Sequence, residues 1–214
     1  MEWNESNYNV NKIPYIEEAY KLKKYAFVSD YARFDILYQY GGIYFDTDVE
    51  VIKPFDGILS NGPFLGMEQS KGIKPGAGCA FYESQPVLKE ILTVYQGLDF
   101  QVSRENKHTI VNITTEIFSK YGYKKDDSIQ KIANTTIYPV EYFSPVDYDT
   151  LKIHKTVNTH SIHYGSASWF SVKQRISTII HRSLCRIFGI KTGMFLSNKL
   201  KNFVKLVYHA KSFL

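Results

Sequence analysis

The chain has few cysteines and lacks the long apolar runs of membrane-spanning proteins. Its 214 residues include two cysteines, Cys79 and Cys185, too far apart for a metal-binding spacing or a disulfide framework. No stretch approaches the roughly 20 apolar residues that cross a bilayer. Residues 1–5 lack the basic segment and apolar run of a secretory signal. These absences argue against a disulfide-stapled secreted domain and an integral membrane protein, and they predict a cytoplasmic chain.

The composition predicts one sizeable core of the α/β class. Hydrophobic residues make up 44% of the chain, which is enough for such a core at this length. Short apolar segments alternate with segments of helical periodicity, and this alternation indicates layers of helices on a sheet. The predicted helices lie at 14–20, 26–40, 87–95 and 113–121, the predicted strands lie at 43–48, 49–52, 64–67 and 157–164, and residues 72–78 are predicted to form a flexible loop.

Two carboxylates follow the apolar segment Ile43-Tyr44-Phe45, at Asp46 and Asp48. If this segment continues as a strand, residues i and i+2 share a face, so both carboxylates can reach one cation. Two oxygen ligands leave positions open for water and a substrate diphosphate, an arrangement that suits Mg²⁺ or Mn²⁺. The pair therefore predicts chemistry on a nucleotide-activated substrate, although ordinary surface strand ends carry the same spacing.

A second acidic and basic pair precedes this motif. Asp30 and Arg33 lie one turn apart on the predicted helix 26–40, which Gly41 and Gly42 should end. Residues at i and i+3 are neighbours on a helix. The two side chains can therefore form a simple surface pair or jointly bind a polar ligand.

Together these segments resemble a known family. Ser29-Asp30-x-x-Arg33, followed by Gly41-Gly42-Ile43-Tyr44-x-Asp46-x-Asp48, is similar to the Asp-x-Asp sugar-transferase family that includes bacterial capsular polysaccharide transferases and the yeast initiating mannosyltransferase. The resemblance runs from about residue 3 to residue 169, through segments at 76–81, 127–145 and 161–169. It implies a GT-A-like nucleotide-sugar-transferase domain at 1–169 with a mixed central sheet.

The resemblance also implies an activity and its partners. The family's enzymes are metal-dependent, retaining hexosyltransferases that use Mn²⁺ or Mg²⁺. The implied donor is a UDP- or GDP-sugar, and the implied acceptor is a growing surface polysaccharide, such as a capsule, or a lipid-linked glycan.

Individual roles follow from the resemblance. Asp48 would bind the metal directly, and Asp46 would contact the ribose, or the metal through water. His163 would be a third metal ligand or a diphosphate contact, whereas without the resemblance a lone histidine is more often a satisfied core or surface residue. Asp30 and Arg33 would bind the donor sugar. Further implied substrate-binding residues are Ser29, Gly42, Tyr44 and Trp169, with Trp169 as a lid, and Glu68 is a candidate acceptor-side group.

One departure from the family leaves two alternatives open. Its members usually begin with an extra strand and helix that carry an Ile-Trp-Phe-Gly-like motif of the nucleotide pocket, and nothing here corresponds to them. We therefore expect an N-terminally shortened domain, with a truncated, non-catalytic sugar- or nucleotide-binding partner in polysaccharide assembly as the alternative. A lesser alternative is a haloacid-dehalogenase-type phosphatase with Asp46 as nucleophile. Its second acidic pair would be Asp126-Asp127, in a polar segment that is predicted to be a loop.

Residues 170–214 differ in charge from the rest of the chain. They contain nine Lys or Arg and no acid, so removing these nine cations from the formal net charge of +5 leaves −4 for the other residues. Apolar residues recur between them at helical spacing. This pattern predicts a basic amphipathic helical tail that lies on an anionic membrane, at the inner face of the plasma membrane. The alternatives are a helical pair that packs on protein, and a nucleic-acid patch, for which no specific motif is evident.

Overall fold

The computed structural model describes residues 3–101, 108–165 and 172–211. The chain divides into two compact units. Unit 1 comprises Met1–Pro145 and Lys155–Tyr164, and unit 2 comprises Val146–His154 and Gly165–Leu214. The predicted boundary after residue 169 stays a prediction, because residues 166–171 lie outside the described part of the chain.

Unit 1 begins with two helices, α1 (Pro14–Lys21) and α2 (Tyr25–Tyr40). Pro14 opens α1 at a position where the missing backbone N–H has no intrahelical partner to lose. Gly41 ends α2 with a φ of +64°, a conformation that favours glycine. Both predicted helices are confirmed, and so is the glycine stop.

The central sheet of unit 1 is mixed. The strands are β1 (Gly42–Tyr44), β2 (Val49–Val51), β3 (Phe64–Gly66), β4 (Cys79–Phe81), β5 (Gln130–Ile132), β6 (Thr135–Tyr138) and β7 (Ser161–His163). Five of them form one sheet in the order β1-β4-β3-β6-β5, in which only the β3–β6 pair is parallel among the described strands. β2 and β7 form a separate antiparallel ribbon. The predicted α/β fold with a mixed central sheet is confirmed.

Further helices cover this sheet. They are α3 (Asp56–Leu59), α4 (Pro86–Gln96), α5 (Ile110–Lys120) and α6 (Val140–Phe143). The α5 helix starts earlier than the predicted 113–121, because the Thr109 side chain accepts a hydrogen bond from the Asn112 amide and caps the helix. The core contains fully buried aromatic side chains, among them Tyr15, Phe34 and Phe118.

Three local predictions are wrong. Asp46 and Asp48 do not continue strand β1; they lie in a turn between β1 and β2, which the Val49 amide closes onto the Asp46 carbonyl at 3.1 Å. Residues 72–78 are not an open loop, since they contain a buried 3₁₀ turn, Pro75–Ala77. The segment 157–160 is not part of a strand, because β7 is limited to Ser161–His163.

Unit 2 contains α7 (Val172–Phe188) and α8 (Ile190–Lys211), joined at Gly189. The two helices approach closely at Gly193, where an added Cβ would lie 2.5 Å from the Cys185 Cα. The absence of a side chain at Gly193 therefore permits this contact. The prediction of helices in this region is confirmed. Within the described residues, neither α7, α8 nor any other helix has an apolar stretch long enough to cross a membrane.

Candidate functional site

Asp46, Asp48 and His163 form a cluster that could hold a metal ion. One ligand atom from each residue lies within 4.8 Å of the other two. The His163 Nε2 atom is 3.1 Å from Asp48 Oδ1 and 3.8 Å from Asp46 Oδ2. The imidazole is buried, whereas both aspartates are partly exposed. A cation or diphosphate can therefore reach the carboxylates from solvent.

The β2–β7 ribbon explains how residues so far apart in sequence meet. Val49 lies opposite His163 in the ribbon register, so the turn before β2 faces the end of β7. The Tyr164 amide also donates a hydrogen bond to the Asp48 carbonyl at 3.0 Å. The convergence therefore depends on a turn and a distant strand rather than on one strand face.

The electrostatic environment keeps His163 neutral. Burial lowers the pKa of His163 to about 4, the Lys74 cation adds to this effect, and together they outweigh the opposing attraction of Asp48 and Asp46. A neutral imidazole has a lone pair available, and this is the form that binds metals.

Arg33 joins the α2 helix to the cluster. Its buried guanidinium donates from Nη2 to Asp30 Oδ1 at 2.8 Å and lies with Nη1 3.0 Å from Asp46 Oδ1. Its Nε donates to the Ser29 carbonyl at 3.1 Å. Arg33 reaches both Ser29 and Asp30 because it lies four and three residues after them on α2. Arg33 is buried and Asp30 is partly buried, so the two residues do not form a simple surface pair, and Arg33 contacts the Asp-x-Asp turn.

Tyr44 holds the same two groups from another side. Its hydroxyl donates to Asp46 Oδ1 at 2.9 Å, and the Arg33 guanidinium carbon lies 4.5 Å from the centre of its ring.

The surroundings of Asp30 change its acidity. Burial raises the pKa of Asp30 to about 6, Asp46 adds to this effect, and Arg33 opposes it. At pH 7 Asp30 is therefore ionised, but it lies within reach of protonation at mildly acidic pH.

Gly76 is a site residue that the sequence analysis missed. Its carbonyl accepts a hydrogen bond from the Asp46 amide at 3.0 Å. A Cβ at this position would lie 2.0 Å from Asp46 Oδ2 and 3.1 Å from Arg33 Nη1. Only glycine leaves room for the Asp46 carboxylate here. The density of glycines at 72, 76 and 78 was the available signal.

The other candidate residues lie elsewhere. Gly42 is exposed on β1, and a Cβ there would meet nothing within 4 Å. Glu68 follows β3 and accepts a hydrogen bond from the Ser70 hydroxyl. Asp127 pairs with Lys71 and is not in the described metal-binding cluster. Trp169 lies outside the described residues.

The fold and the cluster together define a class: a GT-A-like α/β domain with a candidate divalent-metal centre at an Asp-x-Asp turn. Residues 1–65 match the model of a family described as the glycosyltransferase sugar-binding region containing DXD motif. The predicted family is confirmed by this match, which includes α2, Asp46 and Asp48. Residues 1–65 are therefore similar to the sugar-binding region of DXD glycosyltransferases. No curated protein and no solved structure matches it.

Proposed function

We propose that the chain is a metal-dependent, retaining hexosyltransferase that moves a sugar from a UDP- or GDP-sugar to a growing surface polysaccharide, such as a capsule, or to a lipid-linked glycan. The observation that carries this proposal is the cluster of Asp46, Asp48 and His163, placed against the buried Arg33. The matched family supports sugar transfer, and the retained anomeric configuration follows from the sequence resemblance alone.

The donor set fits a divalent cation. Two carboxylates and a neutral imidazole are ligands that Mn²⁺ accepts readily, whereas Mg²⁺ prefers oxygen alone. We therefore propose Mn²⁺ ahead of Mg²⁺, held by Asp48, His163 and Asp46. When bound, such a cation would neutralise charge on the departing nucleoside diphosphate.

Arg33 would position the donor. Its guanidinium is fixed by Asp30 on one side and by Asp46 and Tyr44 on the other, so little side-chain freedom is lost when a ligand binds. A planar, permanently charged fork suits hydroxyl and phosphate oxygens. We assign Asp30 and Arg33 to the donor sugar, and we keep Ser29, Gly42, Tyr44 and Trp169 as proposed substrate-binding residues.

The acceptor and the location form the second part of the proposal. An acceptor attached to a lipid requires the enzyme to work at a membrane surface. Residues 170–214 are basic throughout and could provide the attachment. We propose a peripheral location on the inner face of the plasma membrane.

The phosphatase alternative is disfavoured by the position of its second acidic pair. Such a phosphatase needs that pair at the metal site beside the nucleophile. Asp127 pairs with Lys71 instead and is not in the described cluster of Asp46, Asp48 and His163. The non-catalytic partner remains the main alternative, since it would share this cluster but would not turn over a donor.

Isothermal titration of UDP, GDP and their sugar conjugates, with and without Mn²⁺, tests the proposal. One nucleotide should bind only with Mn²⁺, and Asp48→Ala should weaken that binding at least about 100-fold, because a metal ligand is lost. Asp126→Ala is the matched control, since Asp126 is an exposed loop carboxylate. An affinity that is the same with and without Mn²⁺, and the same in the Asp48→Ala variant, would contradict the proposed metal site.

Turnover then separates the alternatives. Release of free nucleotide from the selected donor supports the transferase, and binding without release supports the non-catalytic partner. Hydrolysis of p-nitrophenyl phosphate that Asp46→Asn abolishes would instead establish the phosphatase.

A further inference from the structure

The α7 helix exposes a stripe of large apolar side chains. Val172, Ile176, Ile179, Ile180 and Ile187 form what we call the α7 stripe. They are separated by 4, 7, 8 and 15 residues from Val172, which places them on one face of the helix. Each is between 38% and 74% exposed. An apolar surface of this kind in water usually marks an interaction site.

Polar side chains of α7 outside the stripe contact segment 146–154 of the same unit. Arg182 Nε donates to the Tyr148 carbonyl at 3.0 Å, and Arg186 Nε donates to the Thr150 carbonyl at 2.8 Å. His181 Nε2 lies 2.9 Å from Asp149 Oδ1. These contacts hold α7 against segment 146–154, and the stripe side chains stay exposed.

The α8 helix extends the exposed apolar surface. Its first turns contain further large apolar residues that are at least 41% exposed, namely Ile190, Met194, Phe195 and Leu200. The close contact at Gly193 and the burial of Ser197 hold α8 against α7. The two helices thus present apolar side chains from a single, tightly packed hairpin.

The charge around the stripe restricts its partner. Residues 170–214 contain no acid, and exposed cations accompany the apolar side chains at Arg175, Arg186, Lys191 and Lys199. Arg175 lies one turn before Ile179, and the Lys199 ammonium lies 4.9 Å from the centre of the exposed Phe195 ring, so cations accompany the exposed apolar surface. Long basic side chains can extend their charge towards phosphates while apolar neighbours enter a hydrocarbon layer. This combination favours an anionic lipid surface over a neutral or cationic partner.

We propose that the α7 stripe inserts into the boundary between headgroups and acyl chains of an anionic phospholipid bilayer, with Arg175 and Lys191 at the lipid phosphates. The helix would lie in the plane of the membrane rather than cross it. The inference rests on the proposed membrane location, names the surface that provides it, and does not depend on the transferase chemistry.

Co-sedimentation of the full chain with vesicles tests this surface. Vesicles of phosphatidylcholine with about 30% phosphatidylserine should bind the chain at least about tenfold more tightly than pure phosphatidylcholine, because each cation near the surface adds attraction. The double variant Ile176→Glu/Ile180→Glu should lose at least about tenfold in binding to the anionic vesicles. The control Gln174→Glu/Asn198→Glu adds the same charge away from the stripe and should lose less than about threefold.

The outcomes decide between occupants. If the stripe variant binds vesicles as well as the control does, the proposal fails. A second possible outcome is that the wild-type chain does not bind vesicles but self-associates in sedimentation velocity, while the stripe variant is monomeric. In that case a second copy of the chain covers the stripe, and the lipid assignment fails. If the wild-type chain neither binds vesicles nor self-associates, the lipid assignment also fails.

Three further measurements support the interpretation of the vesicle test. Circular dichroism should show unchanged helix content in the stripe variant, because the substituted side chains are exposed. In the variant Ile180→Trp, brominated acyl chains should quench the fluorescence of the new tryptophan. A lack of quenching in membrane-bound protein would refute insertion. Mn²⁺-dependent nucleotide binding should be the same in the stripe variant, so failure of the membrane surface is distinguishable from failure of the transferase.

Discussion

The candidate metal-binding cluster of unit 1 and the α7 stripe of unit 2 depart from the usual arrangement of side chains in opposite ways. In unit 1 the charged Arg33 is buried and carboxylates are brought against it. In unit 2 isoleucines are exposed while arginines bond to backbone carbonyls. Each arrangement costs free energy in the isolated chain. Both costs are offset if a ligand of matching chemistry binds, a cation with a diphosphate in one case and lipid in the other.

The comparison also concerns how each region is held. The cluster is fixed by contacts from four separate segments, at α2, the Asp-x-Asp turn, the 3₁₀ turn and β7. The stripe is fixed by one helix and the segment packed behind it. A site that positions reacting atoms needs contacts from several segments, whereas a surface that meets a fluid bilayer does not.

We expect the largest effect on the free energy of unfolding when two phenylalanines, one from each unit, are compared. Phe118 is fully buried in unit 1, and Phe188 is 53% exposed in unit 2. Phe118→Ala should lower the free energy of unfolding by about 3–5 kcal/mol, because it leaves a cavity. Phe188→Ala should change it by no more than about 0.5 kcal/mol. Urea unfolding followed by circular dichroism measures both, and similar losses would break the comparison.

The position of the Asp46 carboxylate depends on the lack of a side chain at Gly76. Gly76→Ala should displace the Asp46 carboxylate, because the new Cβ would lie 2.0 Å from Oδ2. Mn²⁺-dependent nucleotide binding should weaken about 100-fold, as a misplacement of about 1 Å can cost that much. Gly57→Ala is the control, since a Cβ there would meet nothing within 4 Å. Equal affinities for the two variants, measured by titration calorimetry, would show that Gly76 does not position Asp46.

The smallest expected effect concerns the contact between α7 and α8. Gly193→Leu should force the helices apart, because the added side chain meets the Cys185 backbone. We expect a loss of about 1–3 kcal/mol in local stability, as for other overpacked contacts. Hydrogen exchange of residues 172–188 measures it, with the exposed Thr192→Leu as control. Nucleotide binding should not change, and a loss of it would mean that the two regions are coupled.

The sequence was sufficient for the features that depend on neighbours along the chain. The ends of α1 and α2 were predictable because Pro14 and Gly41 act through their own backbone restrictions. The α/β class was predictable from alternating periodicities. The match of residues 1–65 to the glycosyltransferase sugar-binding family was predictable because Asp30, Arg33, Asp46 and Asp48 lie within one short segment that resembles the family.

Features that depend on tertiary contacts were not predictable. The prediction that Asp46 and Asp48 share a strand face was wrong. They lie in the turn between β1 and β2, and β2 pairs with β7 in a separate ribbon. Gly76 was missed because its requirement for glycine comes from the Asp46 side chain, which is distant in sequence. The low pKa of His163 likewise depends on burial and on Lys74, which no local pattern around residue 163 reveals.

The β2–β7 ribbon has a consequence for synthesis and folding of the chain. Tyr164 and Glu50, which are hydrogen-bonded across it, are 114 residues apart. Such long-range pairing closes a large loop and is slow compared with helix formation. On the ribosome, α2 and the Asp-x-Asp turn emerge first, but His163 joins them only after most of the chain has been made. A cation that binds the completed cluster would then favour the closed ribbon by mass action, adding about 2.7 kcal/mol at 100 times its dissociation constant.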